Sequence, residues 1–160
     1  MTTLSLIITS VTLGGIAFQD FKERQVTGLL FLLAFIGLVI LHYSNSNYIQ
    51  LSLSMAINLG VVILLSVILY VYATMVLKKQ LSESIGLGDL FMFGCMAVAF
   101  PTISFLTLFS FSIIFSFIVF KILEGSLKVK TVPLAGLQAV FLVLVLLSNA
   151  IFKFSNLYVL

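Results

Sequence analysis

The amino-acid sequence predicts an all-α polytopic integral membrane protein, and its composition supports this class in three ways. Of its 160 residues, 62% are apolar, and the mean hydropathy is +1.31. Only eight Lys or Arg and five Asp or Glu residues are present, whereas a typical soluble domain carries about 25% charged residues. Because so few charges cannot cover a water-facing surface, we expect a lipid bilayer around a single membrane-embedded domain, residues 1–160.

The same composition argues against several other classes of protein. The net charge of +3 comes from scattered loop residues rather than from a basic patch, so no nucleic-acid partner is predicted. Cys95 and His42 are the single cysteine and the single histidine, which predicts neither a disulfide nor a metal site. No cofactor is predicted. The N-terminus lacks a basic region and a small-residue cleavage site, so we expect the first apolar segment to stay as a helix.

Charged or polar stretches divide the chain into apolar runs. A hydrocarbon core about 30 Å thick requires roughly 20 apolar helical residues. The charged cluster Asp20–Arg24 ends the first run, the polar turn Ser44–Asn47 ends the second, and Lys78–Lys79 ends the third. The predicted spans are about Leu4–Phe18, about Thr27–Tyr43, one within Ile49–Leu77, two within Leu90–Phe120, and about Val132–Phe152, with Pro133 in the first turn of the last helix.

The uncharged run Leu90–Phe120 is too long for one span and too short for two full spans. Its 31 residues would form a helix of about 46 Å, whereas two full spans need about 40 residues. Pro101 favours a break within the run. Loop Lys and Arg concentrate on the cytoplasmic side, and residues 22–24, 78–79 and 121–130 share a side only if two helices cross between the last two groups. We therefore predict six transmembrane helices with both termini on the non-cytoplasmic side.

The fourth predicted helix, from about Leu87 to Phe100, is short for a membrane helix. It measures about 21 Å, which is less than the thickness of the hydrocarbon core. Because Asp89 lies in its first turn, we expect Asp89 to lie in a recess below the cytoplasmic headgroups.

Two of the five acidic residues lie where a predicted span meets a cytoplasmic loop. Asp20 follows the first span and Asp89 opens the fourth, and ionisable groups at membrane depth are costly and commonly functional. Glu23, Glu83 and Glu124 lie in predicted loops, where charges are usually just solvated. The structural alternatives are an interfacial charge for Asp20 and a helix N-cap for Asp89.

Two carboxylates brought together can hydrolyse a peptide bond. They cannot both ionise cheaply, so they share a proton. The ionised group activates a water molecule while the protonated group donates to the scissile carbonyl oxygen, and neither aspartate is assigned a fixed role because the pair titrates as a unit. Gly86 and Gly88 permit unusual backbone angles and close approach of an extended peptide. Cys95, within an apolar run, is interpreted as a packing thiol.

Three motifs together resemble those of the type IV prepilin peptidases, the GxGD aspartyl family that cleaves prepilin and preflagellin leader peptides. The motifs are Asp20–Val26 after the first span, Ile85–Asp89 around the second aspartate, and Val132–Leu137 at the start of the last span. The resemblance covers essentially the whole chain. It implies an aspartic endopeptidase in which Asp20 and Asp89 are the catalytic residues.

The resemblance also implies a substrate and a location. The substrate would be a pilin-like membrane precursor with a short basic leader, cut at the cytoplasmic face of a bacterial inner membrane. Gly86, Gly88, Lys22 and Pro133 match motif positions and would contact this substrate.

Some positions depart from the family's pattern. Thr27–Gly28 stands where the family often has Pro-Asn, and Phe91 stands where it often has a lysine. The first loop is short and free of cysteine, so N-methyltransferase activity is not implied.

Two other readings of the chain remain open. A presenilin-like GxGD protease usually has a tyrosine before one aspartate, where this chain has Gln19. A membrane scaffold or small carrier is the non-enzymatic alternative. A carrier would place polar groups near the bilayer midplane, whereas these spans are apolar apart from Asn58 and scattered Ser and Thr.

Overall fold

The computed structural model is all-helical over the residues it describes, which are 2–75, 78, 86–123, 132–152 and 157–158. Five of the six helices in these ranges are long and apolar enough to cross a membrane, and the fourth is a shorter apolar helix. The predicted all-α class is therefore confirmed, together with a set of helices suited to a multi-pass membrane protein. The helices are α1 (Thr2–Glu23), α2 (Gly28–Asn45), α3 (Tyr48–Met75), α4 (Leu87–Ala99), α5 (Thr102–Leu123) and α6 (Leu134–Phe152).

The predicted break at Pro101 is confirmed. α4 ends at Ala99 and α5 begins at Thr102, and the Pro101 carbonyl accepts the first hydrogen bond of α5 from the Phe105 N–H at 2.8 Å. Proline stops a helix because it has no N–H to donate and its ring clashes with the preceding turn. The uncharged run is thus divided into a short helix and a long one.

Two helix termini differ from the prediction. α1 does not end before the charged cluster but continues through it to Glu23, since Lys and Glu are good helix formers. Pro133 does not lie inside the last helix. It precedes α6, and its carbonyl accepts a hydrogen bond from the Leu137 N–H at 3.0 Å, which is the N-cap position.

α4 lies at the centre of the fold. It contacts α2, α3, α5 and α6, while α1 packs against α2 and α6. From Met92 to the end of α4, every residue except Gly94 is buried. The outer faces of the other helices expose large apolar side chains such as Ile63, Leu64 and Phe117, as expected for contact with lipid. Among the described helices, the one too short to span a bilayer is therefore the one that packs against most of the others.

Neutral polar side chains cap the C-terminal end of α4. The Asn58 Nδ2 donates to the carbonyl oxygens of Ala97 at 2.8 Å and Phe100 at 2.9 Å. The His42 Nδ1 donates a hydrogen bond to the Val98 carbonyl oxygen at 2.9 Å. Both side chains are fully buried. Because the last carbonyls of a helix have no partner within the helix, these contacts satisfy a helix end that no water reaches.

Tyr158 covers this capped end. Its ring centroid lies 5.9 Å from that of His42 and 5.7 Å from that of Phe100. Its carbonyl oxygen accepts a hydrogen bond from the Gln50 Nε2 at 3.4 Å. The described C-terminal residues thus contribute to burying the end of α4.

Candidate active site

Asp20 and Asp89 meet at the first turn of α6. Asp20, in the last turn of α1, is 8% exposed, and its Oδ2 accepts a hydrogen bond from the Gly136 N–H at 2.6 Å. Asp89, in the first turn of α4, accepts one at Oδ1 from the Ala135 N–H at 2.9 Å. Since Ala135 and Gly136 are successive residues, the two carboxylates lie beside each other at one helix terminus.

The N-terminus of α6 favours negatively charged groups for two reasons. The first four N–H groups of a helix have no partner within the helix, and the aligned peptide dipoles place partial positive charge there. Ala135 and Gly136 each donate one such N–H to an aspartate. The terminus therefore fixes the positions of two carboxylates that would otherwise repel each other.

Gly136 makes the close approach of α1 to α6 possible. A Cβ added at this position would lie 2.9 Å from the Asp20 Oδ2, 3.0 Å from the Asp20 Cβ and 3.4 Å from the Ala17 carbonyl oxygen. The two separations from Asp20 are shorter than van der Waals contact allows. A side chain at residue 136 would therefore displace the Asp20 carboxylate.

The glycines before Asp89 do not use the unusual backbone angles that glycine permits. Gly86 has ordinary extended angles, φ −66° and ψ 142°, and Gly88 lies within α4. No described glycine has a positive φ. The Gly86 N–H donates to the Asp89 Oδ2 at 3.2 Å, which is half of a capping box. Gly86 therefore contributes to the site through its backbone N–H.

Burial and neighbouring groups control the protonation of Asp89, which lies outside the five long helices. Its pKa is raised from 3.8 to about 6, mainly by burial and to a smaller extent by the charge of Asp20. The Ala135 N–H, the Gly86 N–H and the Arg24 guanidinium act in the opposite direction. Because the charge of Asp20 raises the pKa of Asp89, the two carboxylates interact electrostatically, as a proton-sharing pair requires.

The two basic residues after Asp20 have different surroundings. The Lys22 side chain is 63% exposed, and its Nζ lies 3.9 Å from the Glu23 Oε1 and 5.5 Å from the Phe18 ring centroid. Arg24 is instead half-buried, and its guanidinium lowers the pKa of Asp89. From the sequence we expected Lys22 to bind substrate and did not distinguish Arg24, because charge type alone does not reveal this difference in burial.

The remaining candidate residues fall into three groups. Pro133 is buried directly before α6, and Gly88 faces the Phe31 ring, since an added Cβ would lie 3.6 Å from Phe31 Cζ. Cys95 is 2% exposed, and its Sγ lies 3.6 Å from the Phe31 carbonyl oxygen, in agreement with a packing thiol. Glu83, Glu124 and Ile85, for which predictions were made from the sequence, lie outside the residues that the structure describes.

Asp20 keeps one oxygen for further chemistry. Among the described residues, Asp89 accepts hydrogen bonds at both oxygens and Asp20 accepts them at Oδ2 alone. This arrangement can hold one proton between two acids and activate water, which is the requirement for aspartic hydrolysis.

No family model, no curated protein and no solved structure matches the chain. What the protein does is therefore inferred from its residues and their arrangement.

Proposed function

We propose that this protein is a membrane-embedded aspartic endopeptidase with Asp20 and Asp89 as its catalytic pair. One observation carries the proposal: the two carboxylates accept hydrogen bonds from the successive N–H groups of Gly136 and Ala135. These aspartates lie 69 positions apart in the sequence, and they are the two acidic residues that the sequence places at span ends. An unpaired role for each would not require their convergence at one helix terminus.

The mechanism follows from shared protonation of the pair. With one proton between them, the ionised carboxylate removes a proton from water, and the resulting hydroxyl attacks the carbonyl carbon of the scissile bond. The protonated carboxyl donates to the carbonyl oxygen, giving a tetrahedral intermediate that breaks down when the leaving nitrogen is protonated. The α6 N–H groups hold both acids in place throughout, so little reorganisation is needed.

A pilin-like membrane precursor is the proposed substrate, on the basis of the motif resemblance. Its basic leader would lie in the cytoplasm and its apolar helix in the membrane. Asp20 precedes the basic residues Lys22 and Arg24 at the end of α1, and the charge distribution of the loops assigns this end to the cytoplasmic side. Asp89 joins Asp20 there at the start of α6. A junction between leader and helix would reach this depth.

Helix capping is a second role that the same contacts favour. A side-chain oxygen at an N-terminus satisfies backbone N–H groups and commonly stabilises a helix by about 1 kcal/mol. Asp20 and Asp89 would then be structural residues of a scaffold or carrier. The two roles differ in one requirement: capping needs an acceptor oxygen, while catalysis needs a carboxyl that gains and loses a proton.

Asparagine substitutions separate these roles, because asparagine caps helices about as well as aspartate and does not titrate. Asp20→Asn and Asp89→Asn are each co-expressed with a pilin-like precursor, and the precursor's gel mobility is followed. Glu23→Gln is the matched control, since Glu23 lies near the pair in sequence but its side chain is 59% exposed and paired with Lys22. Membrane insertion and thermal stability are measured for every variant.

We expect the wild type and Glu23→Gln to cleave the leader. Both asparagine variants should cleave it about 10²–10⁴-fold more slowly while keeping their stability. Cleavage that persists in both asparagine variants would reduce the aspartates to helix caps. A wild type that cleaves none of the pilin-like precursors encoded with it would remove the proposed substrate class.

A further inference from the structure

A groove lies between α5 and α6 on the outer surface of the described helices. It has a volume of about 380 Å³ and is lined by one face of each helix. On α5 this face includes Leu108 and Phe115, and on α6 it includes Phe141 and Leu144, with Leu157 from the residues after α6. Because Leu144 is 51% exposed, the groove is open toward the surroundings of the protein.

This groove is apolar at one end and polar at the other. At the apolar end, the rings of Phe115 and Phe141 are in contact, with centroids 5.4 Å apart. Asn149 lines the other end, eight residues further along α6, which is about 12 Å along the helix axis. It lies three residues before the end of α6 and 13 residues after Gly136, or about 20 Å. The polar end of the groove therefore lies near the end of α6 that is opposite to the aspartates.

The contacts of Asn149 with the described residues do not account for a polar side chain at this place. Its Oδ1 is buried and has no hydrogen-bond partner among those residues, whereas the Asn58 amide donates to two carbonyl groups of α4. Burying a polar group costs free energy unless it is hydrogen-bonded. Ser148 adds an exposed hydroxyl to the same end of the groove. Two neighbouring polar side chains thus lie at one end of an otherwise apolar groove.

The dimensions of the groove suit a hydrocarbon chain rather than a helix. A volume of about 380 Å³ over a length of about 12 Å corresponds to a width of about 6 Å, whereas a helix with its side chains is about 10–12 Å wide. The length of the groove is close to the thickness of one hydrocarbon leaflet, about 15 Å. A chain lying in the groove would have its polar end beside Ser148 and Asn149, near the end of a transmembrane helix, where the ester groups of phospholipids lie.

We propose that this groove binds one glycerophospholipid, with an acyl chain between α5 and α6 and its ester oxygens at Ser148 and Asn149. The hydroxyl and the amide both carry hydrogen-bond donors, which the ester carbonyl oxygens accept. A lipid that binds only the folded protein stabilises it, so the bound lipid would hold α5 against α6. The binding of this lipid is independent of the aspartate chemistry, because the groove lies at the opposite end of α6. A wild type that cleaves no leader would leave the lipid site in place.

Native mass spectrometry of the detergent-purified protein with added phosphatidylethanolamine counts the lipids that each molecule retains. Leu144→Trp fills the groove, and Ile63→Trp is the matched control, because Ile63 is 63% exposed on α3 and lies outside the groove. Asn149→Leu changes the polar end. Its control is Ser110→Ala, since the exposed Ser110 hydroxyl donates within its own helix, to the Leu106 carbonyl at 2.8 Å. Thermal unfolding shows that each variant is folded.

We expect the wild type and both controls to retain one lipid more tightly than any further lipid. Leu144→Trp should lose this lipid, and Asn149→Leu should bind it about 3- to 20-fold more weakly, the range of one hydrogen bond in a membrane. Added lipid should raise the unfolding temperature of the wild type by more than that of Leu144→Trp. Equal retention in Leu144→Trp and Ile63→Trp would overturn the proposal, because the lipid would then be bound elsewhere. A dimer that Leu144→Trp alone abolishes would also overturn it, because the occupant of the groove would then be a second copy of the chain.

Discussion

The two ends of α4 solve the same physical problem with different chemistry. At the C-terminal end, the neutral side chains of Asn58 and His42 donate to three carbonyl groups and are fully buried. At the N-terminal end, Asp89 accepts from Gly86 and lies beside Asp20 at the start of α6. A short helix inside a membrane protein needs partners for its terminal groups at both ends, since lipid offers none.

This difference supports the proposal that the functional site lies at the N-terminal end of α4. Capping alone is achieved by neutral groups, as the C-terminal end demonstrates, and neutral groups are the less costly choice at membrane depth. The N-terminal end instead brings together two ionisable groups, one of them 8% exposed. Asn58, a polar residue that could have indicated a carrier, has both amide hydrogens engaged in capping.

Apart from replacing an aspartate itself, the largest loss of cleavage rate is expected from a substitution at Gly136, where Asp20 approaches α6 closely. Gly136→Ala would place a methyl group 2.9 Å from the Asp20 Oδ2 and displace that carboxylate. Because a misplacement of about 1 Å at a catalytic group can cost about 10²-fold in rate, we expect leader cleavage to fall by about that factor. The rate per folded molecule, measured in reconstituted membranes, checks this.

Gly94→Ala is the matched control for that substitution. An added Cβ there would meet no heavy atom within 4 Å outside its own helix backbone and chain neighbours, and alanine favours the helix in which residue 94 lies. We expect near-normal cleavage. Equal losses in the two alanine variants would show that glycine at residue 136 does not act through the position of Asp20.

A smaller effect, on stability rather than on rate, is expected at the other end of α4. Asn58→Leu removes two hydrogen bonds and leaves the Ala97 and Phe100 carbonyls without them. Since a buried interhelical hydrogen bond in a membrane averages about 0.6 kcal/mol and reaches about 1.7, we expect a loss of roughly 1–3 kcal/mol in the free energy of unfolding. Denaturation in mixed micelles measures it.

Ser54→Ala is the control one turn earlier on α3, because the Ser54 hydroxyl donates only within its own helix, to the Leu51 carbonyl at 3.0 Å. Its stability should stay close to that of the wild type. A drop in the cleavage rate of folded Asn58→Leu, without a drop in stability, would contradict the division of the two ends into a structural and a chemical one.

The sequence predicts the local features of the two ends of α4, but not their contacts with residues that are distant in the chain. Helix count, the break at Pro101 and the short α4 follow from local length, apolar runs and proline chemistry. The face shared by Asp20 and Asp89 follows from charge distribution. Their partners at Ala135 and Gly136 do not, because those contacts depend on how α6 packs against α1 and α4. The capping role of Asn58 likewise depends on contacts 39 and 42 residues away.

The last prediction concerns the pH dependence of stability caused by Asp89. Folding raises its pKa from 3.8 to about 6, mainly through burial, so between these values the folded protein binds more protons than the unfolded chain. Stability should therefore be greatest below about pH 4, fall as the pH rises toward 6, and level off above it, as far as this group is concerned. Asp89→Asn should flatten this part of the curve, whereas Glu23→Gln, which changes an exposed side chain, should retain it.

Thermal unfolding in detergent across this pH range measures the slope. Because Asp20 titrates together with Asp89, the variant that carries both Asp20→Asn and Asp89→Asn is measured as well. A slope that survives in this double variant would assign it to another group and remove the electrostatic distinction between the two ends of α4.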